Sequence, residues 1–127
     1  MMKTKYTIEF NMKSTPPSLL WMYVSTPHGL GQWFADEVEQ DGKKITFYWD
    51  KYPTDAIQLS SRSGERVKYR WADDDEKTYF EFNILTSELT GDTLLVVVDF
   101  AIEDEMDESK ALWEKQLKVL KRKLGCK

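Results

Sequence analysis

The sequence is poor in the side chains that carry most metal and redox chemistry. Its 127 residues include one cysteine, Cys126, and one histidine, His28. One chain can therefore form no internal disulfide, no cysteine metal cluster, no site with several histidine ligands and no histidine-based catalytic triad. We interpret Cys126 as an idle thiol and His28 as a solvated bend residue, the alternatives being a redox role and a titrating role. We predict neither a metal nor a cofactor.

Net positive charge and long apolar runs are also missing. Lys and Arg number 18 and Asp and Glu number 22, which gives a formal net charge of -4. Such a chain has no overall positive field to hold a phosphate backbone, so nucleic acid is a disfavoured partner. The longest aliphatic run, residues 94–98, stops at Asp99, and the first ten residues lack a leader pattern. We therefore expect no integral membrane segment and a cytoplasmic protein.

What the sequence has in quantity is aromatic side chains. They make up 13% of the chain, with five Trp, six Tyr and six Phe, and hydrophobic residues make up 41%. This composition is typical of a globular protein with a large apolar interior. Because 127 residues suffice for one core but not for two, we predict a single domain over residues 1–127.

Two short helices are predicted to follow a first strand. Apolar and polar side chains alternate from residue 6 to residue 12, as in a half-buried strand. Residues 14–16 and 25–27 both read Ser-Thr-Pro, a hydroxyl cap followed by proline at the first helical position. The sequence therefore predicts one helix from Pro16 and a second, very short helix from Pro27 through Phe34, with Gly29 and Gly31 loosening the bend.

From residue 37 onward the pattern is that of an antiparallel meander. Apolar positions recur with period two in about six runs, and turn residues fill the gaps: Asp41-Gly42, residues 51–55 with Pro53, Ser63-Gly64, the acidic stretch 73–76 and Gly91-Asp92. The last run, residues 94–102, is apolar on both faces, which is typical of a central strand or one covered by a helix. We interpret the acidic stretch as a solvated turn, because it lacks the ligand spacing of a calcium loop.

The one long helical pattern covers residues 104–124. Acidic side chains lie at its start and basic ones near its end, which complements the helix dipole, and Gly125 follows as a stop. Two polar residues, Ser109 and Gln116, lie on its apolar face and would need hydrogen-bond partners if buried. The apolar stripe itself consists of Met106, Trp113, Leu117, Leu120 and Leu124. The pattern predicts a helix packed against the sheet.

The order of these elements resembles the START-like, or helix-grip (SRPBCC), superfamily. The stretch from Leu20-Trp21 through the second Ser-Thr-Pro and Leu30 to Trp33-Phe34 is similar to its branch of Aha-type chaperone ATPase activator homologues. The resemblance implies an α+β fold of order β-α-α-β6-α, a curved antiparallel sheet of about seven strands wrapped around a long C-terminal helix. It also implies a cavity between sheet and helix, which in many members takes up a small hydrophobic molecule such as a lipid.

Fatty-acid-binding barrels are a rival fold, because they also place two small helices after the first strand. Those barrels finish in strands, whereas charge order, periodicity and a terminal glycine all predict a helix over residues 104–124. We therefore favour the helix-grip fold.

The aromatic side chains, with a few polar groups among them, are the candidates for a ligand site. More rings are present than two small helices on a sheet require, so they either line a cavity or fill a solid core. An apolar pocket with a few convergent polar groups is the usual make-up of a small-molecule site. The candidate cavity residues are Trp21, Trp33, Phe47, Trp49, Tyr69, Trp71, Phe82, Asp99, Ser109, Trp113, Gln116, Leu117 and Leu120.

Three classes of function follow from these features. The first is binding of a small apolar molecule in the cavity. The second is a cyclase or hydratase that uses Asp99 or Tyr69 as a general acid or base in the same pocket, which requires a perturbed group facing the cavity. The third is a chaperone-cofactor-like module with a protein partner, which requires an exposed apolar or strongly charged patch. No enzymatic motif matches, so we predict no catalytic residue, and the oligomeric state stays open.

Overall fold

The structure, a computed structural model, describes residues 2–126. It is an α+β fold in which a strand, two short helices, six strands and a long helix follow one another. The elements are β1 (Thr4–Asn11), α1 (Pro17–Ser25), α2 (Pro27–Leu30), β2 (Glu37–Asp41), β3 (Lys44–Trp49), β4 (Tyr52–Arg62), β5 (Arg66–Trp71), β6 (Phe80–Thr86), β7 (Thr93–Ala101) and α3 (Met106–Lys123). The predicted helix-grip fold is confirmed.

The strands form one antiparallel sheet of order β1-β7-β6-β5-β4-β3-β2. The register places Ile8 of β1 opposite Val97 of β7, which in turn lies opposite Phe82 of β6. Because side chains alternate along a strand, these three share the face on which the core and α3 lie. The last strand, β7, lies between β1 and β6, so β1 and β2 are left as the two edges of an open sheet.

The C-terminal helix packs its apolar stripe on the core and ends as predicted. Trp113, Leu117 and Leu120 are its buried side chains. A short 3-10 turn, Glu103–Glu105, precedes the helix, so the predicted start at residue 104 lies in that turn. At the other end Gly125 has a φ of 71°, and the Cys126 N–H donates to the Lys121 carbonyl at 2.8 Å. This pairing is a Schellman cap, which explains the glycine.

The start of α1 corrects the prediction that a hydroxyl caps it before Pro16. The helix begins at Pro17, and its N-cap, Pro16, makes no side-chain cap bond. The Thr15 hydroxyl donates instead to the Met12 carbonyl at 2.7 Å, and the Thr15 carbonyl accepts from the Thr93 hydroxyl at 2.6 Å. The first Ser-Thr-Pro therefore ties the end of β1 to the start of β7 rather than capping a helix.

The second Ser-Thr-Pro behaves as predicted at its start but not at its end. The Thr26 side-chain oxygen accepts from the Gly29 N–H at 3.0 Å, as a helix cap does. The helix α2 ends at Leu30 and does not continue to Phe34. Residues 31–34 form a turn that still carries Trp33 and Phe34 into the core.

The turn between β3 and β4 is also shorter than the predicted stretch 51–55. It consists of Asp50 and Lys51, whose φ values are 51° and 71°, as a two-residue hairpin turn requires. Pro53 therefore lies inside β4. Proline is tolerated there because β5 ends at Trp71, opposite Ala56. On that side of β4 no strand lies beside Pro53 to accept a hydrogen bond from the missing N–H.

Candidate ligand-binding site

Phe34 is the centre of the aromatic core beneath α3. Its side chain is 4% exposed, and other aromatic rings surround it from the sheet, from the helix and from its own turn. The centroids nearest to it are those of Phe47 at 5.1 Å, Trp33 and Trp49 at 5.5 Å, Trp113 at 5.6 Å and Phe80 at 5.7 Å. These separations are those of rings in contact. Around Phe34 the aromatic side chains therefore pack against one another.

The sequence-predicted site residues fall into two groups by burial. Trp21 lies on α1, and Trp49 and Trp71 lie at the ends of β3 and β5; all three are half-buried. The fully or almost fully buried residues are Trp33, Phe47, Tyr69, Phe82, Trp113, Leu117 and Leu120. The Tyr69 hydroxyl donates to the Val24 carbonyl of α1 at 3.0 Å, so this candidate acid or base is used to hold a helix on the sheet.

An open groove runs beside this core, between α3 and the turn after α2. Its volume is about 650 Å³. The apolar side chains that line it are Trp33, Phe34, Ala35, Trp49, Leu112 and Val119, and the polar ones are Gln32, Asp36, Lys115 and Gln116. The groove thus combines an aromatic floor with a polar rim, and three of the predicted site residues, Trp33, Trp49 and Gln116, meet in it.

The carbonyl of Phe34 holds the floor of this groove in place. It accepts a hydrogen bond from the Gln116 side-chain amide at 3.1 Å and another from the Trp49 indole at 3.0 Å. The polar interruption of the α3 stripe by Gln116 is thereby explained, because its amide reaches a backbone oxygen of the buried turn. Only the nitrogen of this amide is used in the hydrogen bonds of residues 2–126, so its oxygen is available as an acceptor at the groove.

Asp99 and Ser109 belong to a second, separate cluster that joins β1 and β7 to the start of α3. One Asp99 oxygen, Oδ2, accepts from the Trp113 indole at 2.8 Å and from the Tyr6 hydroxyl at 3.4 Å. The other, Oδ1, accepts from the Phe100 N–H at 2.7 Å. Ser109 shares a short hydrogen bond with the Tyr6 hydroxyl. The two polar interruptions of the helix face therefore serve different sites.

Burial shifts the proton affinities in this cluster. Removal from water raises the pKa of Asp99 above its ordinary value of 3.8, against the hydrogen bonds from Trp113 and Phe100 that favour the carboxylate. Burial likewise raises the pKa of Tyr6 to about 12, so its phenol stays neutral at physiological pH. The perturbed group that the sequence analysis required for an enzyme is present in Asp99, but its oxygens are occupied by structural donors.

The raised pKa of Asp99 leads to a pH-dependent contribution to stability. The folded protein binds the Asp99 proton more tightly than the unfolded chain does, so protonation of Asp99 stabilises the fold. This stabilisation is complete below about pH 3.8, the ordinary pKa, and is lost as pH rises through the higher pKa of the folded state. We expect the free energy of unfolding of the wild type to fall relative to that of Asp99→Asn over that range, measured by urea denaturation between about pH 3 and pH 7. A pH-independent difference between the two proteins would contradict the shift.

Sequence reasoning missed several residues of the two clusters. Phe34, Leu112 and Val119 line the groove but were not among the predicted site residues. The signals for them in the sequence are the Trp33-Phe34 pair and the apolar Leu112 and Val119, which widen the stripe of the last helix. Tyr6 was missed as the partner of Asp99, and only the β1–β7 register, which pairs the two residues, brings them together.

The acidic stretch 73–76 forms a turn between β5 and β6. The Asp75 side chain accepts from the Lys77 N–H at 2.8 Å, and Asp74 pairs with the Lys3 ammonium at 2.8 Å. Among residues 2–126 no group of three or more His, Cys, Asp or Glu is placed to hold a metal ion. In the same part of the chain, no helix has the length and hydrophobicity needed to cross a membrane.

Comparison with known proteins places the chain in a family. The family model for the START-like superfamily domain matches residues 1–126. The solution NMR structure of BfR322 from Bacteroides fragilis is 38% identical, with a TM-score of 0.69 over 97% of this chain and 92% of that one. No match was found among curated protein sequences.

Two more distant structures share the fold. The Aha1 dimer from Colwellia psychrerythraea is 19% identical, with a TM-score of 0.73 over 98% of this chain and 96% of that one. DynU16, a putative protein in the dynemicin biosynthetic locus, is 18% identical, with a TM-score of 0.79, and the match covers 95% of this chain and 47% of that one. The family model, which matches residues 1–126, shows that the chain belongs to the START-like superfamily.

Proposed function

We propose that the protein binds a small, predominantly apolar molecule in the groove between α3 and the turn that follows α2. The observation that carries this proposal is the groove itself, about 650 Å³ in volume and floored by Phe34 and Trp49. Small-molecule sites typically have volumes of about 300–1,000 Å³ and combine apolar walls with a few polar groups. We therefore propose a site on the flank of the helix rather than in the interior, where aromatic rings pack on Phe34.

The polar groups of the groove favour a ligand with one polar end. The Gln116 amide oxygen is an acceptor for a hydroxyl or N–H of the ligand, and the Lys115 ammonium at the rim suits an anionic head group. The indole of Trp49 is half-buried and presents part of its apolar surface to the groove. A fatty acyl chain or a polycyclic aromatic with a single polar group fits this arrangement.

A probe titration with two matched variants tests the proposal. Leu112 lines the groove and is 58% exposed, while Leu85 is 52% exposed on the opposite side of the sheet, so a charge at either position leaves the core intact. We expect the neutral fluorophore N-phenylnaphthylamine to brighten on binding the wild type, and Leu112→Glu to raise its Kd at least about tenfold, since a ligand that covers a Leu gains about 1.5–3 kcal/mol.

Leu85→Glu is the control, and its Kd should equal that of the wild type. No brightening with the wild type, or equal losses in the two variants, would contradict binding in this groove. If the probe does bind in the groove, native mass spectrometry of the purified protein, followed by solvent extraction, would identify a natural ligand by its mass.

A protein partner is the second candidate, because Leu112 projects from the same groove. An exposed leucine beside a concave aromatic surface also suits the apolar side chain of a chaperone or another protein. A peptide or protein that binds wild type and Leu85→Glu but not Leu112→Glu, without any small-molecule adduct in the native mass, would favour this alternative.

The enzymatic alternative has less support. It relied on Asp99 or Tyr69, and both Asp99 oxygens and the Tyr69 hydroxyl are engaged by groups of the protein itself. Asp99 lies on β7 and bonds to Trp113, and neither residue lines the groove. The cytoplasmic location stays a prediction from the sequence, which cell fractionation would test.

A further inference from the structure

Strand β1 forms one of the two edges of the sheet. In the sheet formed by residues 2–126, β1 has one neighbouring strand, β7, and its other side is open. The Met12 N–H donates to the Thr93 carbonyl, and ladder bonds alternate along an antiparallel pair, so the even-numbered residues of β1 bond to β7. The backbone N–H and C=O groups of Lys5, Thr7 and Glu9 consequently point toward the open side.

These outward groups are without partners in the described part of the chain. Outside the sheet ladder, no hydrogen bond among residues 2–126 uses the backbone of Lys5, Thr7 or Glu9. Their side chains are exposed on the face of the sheet away from α3. Such an edge is a template for another strand unless it is short, bulged, interrupted by proline or lined by charges that find no partner. β1 runs eight residues without a bulge or a proline and carries charges of both signs.

The charges along β1 select one way of pairing. We propose that two copies associate through an antiparallel β1–β1 contact with its two-fold axis at Thr7. In this register Lys5 of each copy lies opposite Glu9 of the other, and the outward backbone groups of both strands face each other as bonded pairs. A shift of the axis by one residue would place Lys5 or Glu9 opposite Thr7 and lose both charge pairs.

Neither Lys5 nor Glu9 forms an ion pair with another of the described residues. The ion pairs of residues 2–126 are Lys3–Asp74, Lys44–Asp55, Arg62–Glu65 and Lys68–Glu81, so Lys5 and Glu9 take part in none of them. The Lys5 ammonium lies 6.0 Å from the centre of the Tyr79 ring, at the outer limit of a cation–π contact. On the α3 side, Ile8 is half-buried and would be covered by Tyr6 of the second copy.

The other edge of the sheet is unsuited to the same contact. β2 has the sequence EVEQD, so two copies of it would bring Glu37, Glu39 and Asp41 against one another. The helix α2 also contacts β2. The difference between the two edges favours a closed dimer through β1 over an open chain of molecules.

The molecular mass in solution tests the proposal by light scattering or sedimentation equilibrium. We expect a dimer of about 30 kDa, twice the 15.0 kDa of one chain, which dissociates on dilution because an edge contact buries little area. Lys5→Glu and Glu9→Lys should each raise the dimer Kd at least about tenfold, since each variant replaces two attractive pairs by two repulsive ones. The double variant Lys5→Glu/Glu9→Lys restores opposite charges and should return the Kd to that of the wild type.

Two further variants test whether the dimer forms through the edge of β1 or through another surface. Thr7→Pro removes an outward N–H that β7 does not use, so it should abolish the dimer and leave the circular dichroism spectrum unchanged. Glu39→Lys alters the other edge and should leave the dimer Kd unchanged. A wild-type protein that stays at 15.0 kDa up to about 1 mM would overturn the proposal, because its dimer would gain less than about 4 kcal/mol of binding free energy. A dimer that survives Thr7→Pro, or one that Glu39→Lys weakens as much as Lys5→Glu does, would also overturn it.

Discussion

Replacing Phe34 by alanine is expected to lower the free energy of unfolding by about 3–5 kcal/mol, the usual cost of removing a buried aromatic side chain. The Phe34 ring is 4% exposed and lies among rings from β3, β6 and α3, so the space left by the ring has rigid walls on several sides. Because those walls belong to different elements, little collapse can fill the cavity. We expect the melting temperature to fall by about 10–20 °C.

Phe100→Ala is the matched control for this experiment. Phe100 is half-buried on the outer face of β7, and the one ring beside it is that of Tyr79 at 5.0 Å. Its replacement should cost about 1–2 kcal/mol, since a half-exposed side chain loses less burial and leaves no closed cavity. Thermal melts followed by circular dichroism would compare the two, and equal losses would show that Phe34 is not the centre of the core.

Gly29→Ala is expected to cost about 3 kcal/mol or more, although it adds a single methyl group. A Cβ at Gly29 would lie 2.1 Å from the Met22 carbonyl oxygen and 2.5 Å from the Tyr23 Cα. Both atoms belong to the backbone of α1, so no side-chain rotation can relieve the contact. Met22 cannot easily move, because its carbonyl also accepts from the Thr26 hydroxyl at 2.6 Å.

Gly31→Ala provides the comparison, two residues further along the same turn. A Cβ there would lie 3.3 Å from the nearest atom, the Pro27 carbonyl oxygen, and Gly31 has a φ of -70°, which any residue adopts. We expect its free energy of unfolding to change by less than about 1 kcal/mol. Urea unfolding of both variants measures the difference; similar midpoints would contradict the close approach of α1 and α2.

This pair also corrects an expectation about the glycines. The sequence predicts that Gly29 and Gly31 both loosen a bend, which treats them as equivalent. The structure separates them, because Gly29 lies against the backbone of α1 and Gly31 lies at the groove. A close approach between two backbones depends on how two helices pack, and single-sequence patterns carry no signal for that.

Local patterns were sufficient for most elements of the fold. Alternation along residues 6–12 predicted β1, and charge order with Gly125 predicted α3 and its end, because these signals depend on neighbours within a few residues. The same reasoning misjudged Thr15 and Pro53. Thr15 bonds to Thr93 across the sheet, and Pro53 is allowed in β4 because β5 ends earlier, and both facts are set by distant parts of the chain.

The sequence by itself determined that this chain is a START-like domain without the side chains for a histidine-based site, and that aromatic and polar groups lie on the inner faces of its sheet and last helix. Tertiary packing decided what those groups do. It brought Phe34 to the middle of the aromatic rings, paired Asp99 with Tyr6 and Trp113, placed Gln116 at an open groove and left β1 as a free edge. Each of these outcomes depends on the register between strands and on how α3 packs against the sheet. Both bring together residues that are far apart in sequence, so neither leaves a local sequence pattern.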